Sequence, residues 1–90
     1  MTRAERIRAV LTDAFSPELL EVVDESHLHA GHAGARPEGE THFRVSLATA
    51  AFDGVSRVER QRMVNTALAN EFAGGLHALS IRALAPGEVK

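Results

Sequence analysis

Two stretches of the chain repeat their apolar residues every three or four positions, and three repeat them every second position. From Arg3 to Phe15, Ile7, Val10, Leu11, Ala14 and Phe15 fall on one helical face. Thr2 and Glu5 form a capping-box pattern ahead of them, and Ser16-Pro17 stops the helix, because proline disfavours helical backbone at the residue before it. In the second stretch Val64, Leu68 and Phe72 follow at i, i+4 and i+8, with Met63 and Ala67 beside them. Ser56 and Glu59 repeat the capping-box pattern, and Gly74-Gly75 offers a left-handed close, which predicts a helix over Ser56–Ala73. Three segments alternate instead. Leu20–Ser26 carries Leu20 and Val22 against Glu21 and Val23. Thr41–Ala48 sets Phe43, Val45 and Leu47 against His42, Arg44 and Ser46. Leu76–Leu84 sets Leu79 and Ile81 against Ser80 and Arg82, and ends at Pro86-Gly87. His27 to Glu40 holds three glycines, one proline and no period, so it reads as a long loop, and Asp53-Gly54 reads as a turn.

The order is helix, strand, strand, helix, strand. The first two strands are expected to pair antiparallel. The second helix then returns the chain over the sheet, so that strand 3 runs parallel to strand 2 by a right-handed crossover. The apolar faces at Phe43, Val45, Leu47, Leu79 and Ile81 call for both helices on one side. Arg44, Ser46, Ser80 and Arg82 suit the other side to water. The expected fold is thus one α/β domain over residues 1–90, with an αββαβ order and a three-stranded mixed sheet covered on one face.

Composition narrows the function. With 44% hydrophobic and 24% charged residues, the chain is ordinary for a globular domain. It has no cysteine, which excludes a disulfide framework, a thiol nucleophile and an iron–sulfur cluster held by this chain's own thiolates. The charged, amphipathic N-terminal stretch is unlike a signal peptide, and no segment approaches a membrane span. A cytoplasmic protein is expected; the alternative is a mitochondrial one after removal of a transit peptide. A net charge of −2 argues mildly against a strong non-specific nucleic-acid binder.

The topology also gathers the histidines. The end of strand 1 and the starts of strands 2 and 3 share one end of the sheet. His27, His29 and His32 belong to the loop at that end, His42 begins strand 2 and His77 begins strand 3. Metal-binding imidazoles need this convergence from separate segments. A short loop with histidines also reads as a plain solvated surface. His42, at a strand start and facing away from Phe43, reads as the structural member.

The stretches Val23-Asp24-Glu25-Ser26-His27, Gly39-Glu40-Thr41-His42-Phe43-Arg44-Val45, Phe52-Asp53-Gly54, Arg60-Gln61-Arg62-Met63-Val64-Asn65 and Leu76-His77-Ala78-Leu79-Ser80-Ile81, in this order, resemble the BolA family over nearly the whole chain. The resemblance implies a fold like the KH type II arrangement without its GXXG loop. It also implies a heterodimer with a monothiol glutaredoxin, bridged by a 2Fe–2S cluster, serving cluster trafficking or iron sensing. The glutaredoxin and its glutathione supply the sulfur ligands. The BolA-like partner supplies a histidine at the start of the last strand, which matches His77, and a loop ligand, which matches His29 best with His32 or His27 as alternates. The family's usual Arg-His-Arg on helix 2 reads Arg60-Gln61-Arg62 here.

A second expectation is a nucleic-acid-binding regulator that uses Arg57, Arg60 and Arg62 near the start of helix 2. With so few phosphate contacts, DNA binding should be weak and salt-sensitive. The same arginines read more simply as a solvated helix face paired with Glu59 and nearby carboxylates. An enzyme is not expected. Ser26 with His27, and Ser80 with His77, are the nearest approach to a nucleophile and base, and in each pair the two residues sit on opposite strand faces.

Overall fold

A computed structural model describes residues 2–26 and 41–89 of the chain. Helix α1 spans Arg3–Phe15, as its periodicity predicts. The Thr2 hydroxyl accepts the Glu5 N–H at 3.2 Å, and the Glu5 carboxylate accepts the Thr2 N–H at 2.9 Å, so the capping box is complete. At the other end Ser16 adopts a left-handed conformation, with φ of 46°, and its N–H closes on the Thr12 carbonyl. The Thr49 hydroxyl then donates to the Phe15 carbonyl at 2.7 Å, tying the end of the helix to the end of a strand.

The strands are β1 (Leu19–Asp24), β2 (His42–Ala48) and β3 (Ala78–Leu84), in the spatial order β1-β2-β3. β1 and β2 are antiparallel, β2 and β3 parallel. Val22 lies opposite Val45, and Val45 opposite Ile81; Leu20, Leu47 and Ala83 make the next apolar row. These rows meet Ile7 and Leu11 of α1 and Val64 and Leu68 of the second helical segment in one core, with Phe52 fully buried among them. The opposite face keeps Arg44, Ser80 and Arg82 exposed, as the alternation predicts.

The second helical segment differs from its expected single run. α2 covers Arg57–Ala67 and α3 covers Ala69–Ala73, with Leu68 between them at φ −99° and ψ 15°. The Leu68 N–H still reaches the Val64 carbonyl and the Phe72 N–H still reaches Leu68, so the apolar stripe passes through the irregular turn. Ser56 caps α2 through the Glu59 N–H, but the Glu59 carboxylate turns to Arg62 instead of completing a box. α3 ends with Gly75 at φ 122°; the Leu76 N–H bonds Glu71 and the Gly75 N–H bonds Phe72, the paired bonds of a Schellman close. Arg3 of α1 donates to the Glu71 and Gly74 carbonyls at 2.8 and 3.1 Å, and Arg6 pairs with the Glu71 carboxylate. The start of α1 is therefore bonded to the end of α3.

A second weld joins α2 to β3. The Leu84 carbonyl faces β2, where it takes the Thr49 N–H, so alternation turns the Ile81 and Ala83 carbonyls outward on this edge strand. Gln61 donates to Ile81 at 3.1 Å and Arg60 to Ala83 at 3.1 Å. Arg60 also donates through Nε to the Val55 carbonyl at 2.9 Å and grips both oxygens of Glu88. Its guanidinium lies 5.9 Å from the Phe52 ring centroid, within cation–π reach. The hydrogen bonds from Arg60, with that from the Ala85 N–H, hold the Glu88 carboxyl down from its ordinary 4.5 to about 2.

At the other end of the sheet Ser26 is buried, and its hydroxyl oxygen accepts the N–H groups of Thr41 at 2.9 Å and His42 at 3.1 Å. Its own N–H is held by the Asp24 carboxylate at 2.8 Å. The Thr41 carbonyl in turn accepts the N–H groups of His77 and Ala78, and the His42 carbonyl accepts that of Glu25. All three strands are joined here by backbone groups.

Two outcomes follow from these welds. Ser26→Ala leaves two buried N–H groups without their acceptor, and should lower the unfolding free energy by roughly 1–3 kcal/mol in a urea titration, with an unchanged m-value. Glu88 has a folded pKa below its unfolded one, so its contribution is fully present above about pH 4.5 and fades as pH falls towards about 2. Glu88→Gln should therefore be less stable than the parent at pH 7, and the gap should close between those two pH values when thermal midpoints are followed.

Candidate functional site

His77 lies two residues after the Gly75 close and immediately before β3. Its backbone position is set from two sides. The Schellman bonds fix where α3 releases the chain, and the Thr41 carbonyl takes the His77 N–H at 2.8 Å and the Ala78 N–H at 3.1 Å. The side chain is exposed. This combination gives a solvent-facing imidazole on a backbone hydrogen-bonded into the sheet.

His42 lies beside it. Parallel pairing puts His42 opposite Ala78, and the two imidazole rings stand 5.2 Å apart between centroids, tilted by 53°. His42 is 6% exposed, and its Nδ1 is hydrogen-bonded to the Thr41 hydroxyl at 2.8 Å. The reading of His42 as a structural residue is consistent with this burial. The contact with His77 goes further than that reading. Its signal was present in the sequence: two parallel strands that begin at His42 and beside His77 must bring the two residues together.

The other expected ligands, His27, His29 and His32, lie outside the described residues. The described ends of their segment, Ser26 and Thr41, are bonded to each other and lie at the same end of the sheet as His77. Among the described residues no three histidine, aspartate or glutamate side chains converge on a metal position. The described part of the chain thus presents imidazole nitrogen and not a full coordination sphere.

The arginines of the alternative reading separate. Arg57 is exposed, and Arg62 is exposed and paired with Glu59 at 2.7 Å. Arg60 is 6% exposed, with its donors directed to Val55, Ala83 and Glu88. Its expected place in a phosphate-binding patch is therefore corrected. The partner that buries it stands 28 positions later in the chain, out of reach of any local pattern. Gln61, the departure from Arg-His-Arg, serves the edge of β3. Ser26, the conceivable nucleophile, uses its oxygen to receive two backbone N–H groups. Among the described residues, no helix is long and apolar enough to cross a membrane.

Comparison with known proteins agrees with this architecture. The family model for BolA-like protein matches residues 11–88. An uncharacterized protein in the cobS 5′ region of a Sinorhizobium sp is 48% identical over 89 residues, covering 98% of this chain and 96% of that protein. BolA-like protein 1 of Mus musculus is 48% identical over 82 residues; the match covers 91% of this chain and 57% of the mouse protein. The solved BolA domain of SufE1 from Arabidopsis thaliana aligns with a TM-score of 0.89 at 45% identity, over 99% of this chain and 98% of that one. The sequence match, the helix and strand order and the mixed sheet agree, and the chain belongs to the BolA-like family.

Proposed function

We propose that this chain is an adaptor that pairs with a monothiol glutaredoxin and lends imidazole nitrogen to a 2Fe–2S cluster bridging the two proteins. His77 is the principal ligand, and one loop histidine, His29 ahead of His32 or His27, is the second. The glutaredoxin and glutathione bring the sulfur. The observation that carries this reading is the exposed His77 ring on a backbone pinned to the Thr41 carbonyl. A ligand positioned in advance loses little freedom when the metal arrives. A chain without cysteine can contribute only such a nitrogen half-site, and two histidines in place of two cysteines raise the cluster's potential. The shared cluster is cargo to be passed on or sensed, so no side chain here needs to act as an acid, base or nucleophile.

The test is reconstitution of each variant with the glutaredoxin, glutathione, iron and sulfide under anaerobic conditions, followed by visible circular dichroism. His77→Ala should abolish the stable mixed cluster, while His29→Ala should weaken it and shift its spectrum. The metal-free heterodimer should persist in both, as read by size-exclusion chromatography. A wild-type cluster spectrum and lifetime in His77→Ala would overturn the reading.

A further inference from the structure

Beside the exposed His77 the fold has placed a second imidazole that the ligand assignment does not use. His42 is buried, held through Nδ1 by Thr41, and set on the one strand that pairs with both others. Its backbone is fixed on both sides, since its N–H goes to Ser26 and its carbonyl to the Glu25 N–H. The His77 backbone hangs from the carbonyl of Thr41, the residue next to His42. The two rings are 5.2 Å apart and tilted, within the range where aromatic rings attract. The buried ring therefore forms a fixed wall along one side of the exposed one.

We infer that His42 is a positioning residue for His77: its buried ring restricts the His77 side chain so that the ligand nitrogen is presented in one orientation before any metal or partner arrives. This inference rests on the adaptor reading for its purpose, but not for its geometry. An exposed histidine at the start of a strand samples several rotamers unless a neighbour limits them. The fixed backbone alone does not limit them. Thr41 serves both halves of the arrangement, because its hydroxyl fixes the wall and its carbonyl fixes the ligand's backbone. Positioning by a neighbouring group is a usual requirement of metal-binding histidines, met here by ring contact. Since the wall acts through shape, another flat ring at position 42 should do the same work.

The experiment compares full-length wild type, His42→Ala and His42→Phe, each labelled with 13C at the histidine ring carbons. Ring relaxation of His77 is first measured in the free protein, without iron or glutaredoxin. Wild type and His42→Phe should show an ordered His77 ring, and His42→Ala a mobile one. Cluster lifetime is then measured in the complex with glutaredoxin. It should fall by about two- to tenfold in His42→Ala, the factor that one freed side chain is worth, and stay near wild type in His42→Phe. Far-ultraviolet circular dichroism checks that each variant is folded. If His42→Ala does not fold, the wild-type and His42→Phe relaxation data still decide. A freely rotating His77 ring in the wild type overturns the inference. So does an unchanged ring in His42→Ala, and so does a loss in His42→Phe equal to that in His42→Ala, which would assign the effect to the imidazole nitrogens. If wild type forms no His77-dependent cluster, the adaptor reading fails, while the relaxation data on the free protein still settle the role of His42.

Discussion

The carbonyl of Thr41 accepts two N–H groups, from His77 and Ala78, and through them sets the register of β3 on β2. A parallel pair has no tight turn to fix its register, so something else must do so at the point where the returning chain meets the sheet. Here that point is a small hydrogen-bond cluster. Ser26 at the end of β1 holds the N–H groups of Thr41 and His42, and Thr41 holds the start of β3. A slip of one residue in β3 would turn Leu79 and Ile81 to water and Ser80 to the core. The same slip would carry His77 away from His42. Core packing and the placement of His77 therefore depend on the same few backbone bonds.

Much of this was legible along the chain because it was periodic or local. Ile7, Val10 and Leu11 mark α1, and Thr2 and Glu5 mark its start, since caps and helical faces are matters of a few residues. Phe43, Val45 and Leu47 mark β2, and the element order gives the mixed pairing. From that pairing the meeting of His42 and His77 at one end already follows. What stayed hidden depends on distant partners. Arg60 reads as one of three surface arginines until Glu88, Val55 and Ala83 close round it. Leu68 keeps the helical period while its backbone departs from the helix, because a periodic stripe reports which side chains face the core and not their dihedral angles. Glu59 stands three residues after Ser56 like any box partner, yet its carboxylate meets Arg62 instead.

The two ends of the sheet are stabilised by different chemistry. Around Arg60 the bonds are charged: a guanidinium, a carboxylate kept ionised down to about pH 2, and an aromatic face beneath. Around Thr41 the bonds are made chiefly by hydroxyls and backbone groups, with the Asp24 carboxylate on the Ser26 N–H and the Arg44–Glu25 ion pair beside them. The Arg60 weld lies at the end where β3 finishes, remote from where it starts.

The Ser26–Thr41 hydrogen bond also ties the end of β1 to the start of β2. Because Ser26 and Thr41 are bonded to each other, the strands on either side are held whatever the chain does over residues 27–40. Closing a longer loop costs only about 0.6 kcal/mol per doubling of its length. The sheet can therefore accept changes of length and sequence in that segment with little loss. His77 has no such latitude, since its position follows from the register of the sheet. On the adaptor reading, one ligand is thus fixed by the architecture and the other comes from a segment that the architecture leaves free to vary. Such a division lets the loop be matched to a partner without disturbing the ligand on which the cluster chiefly depends.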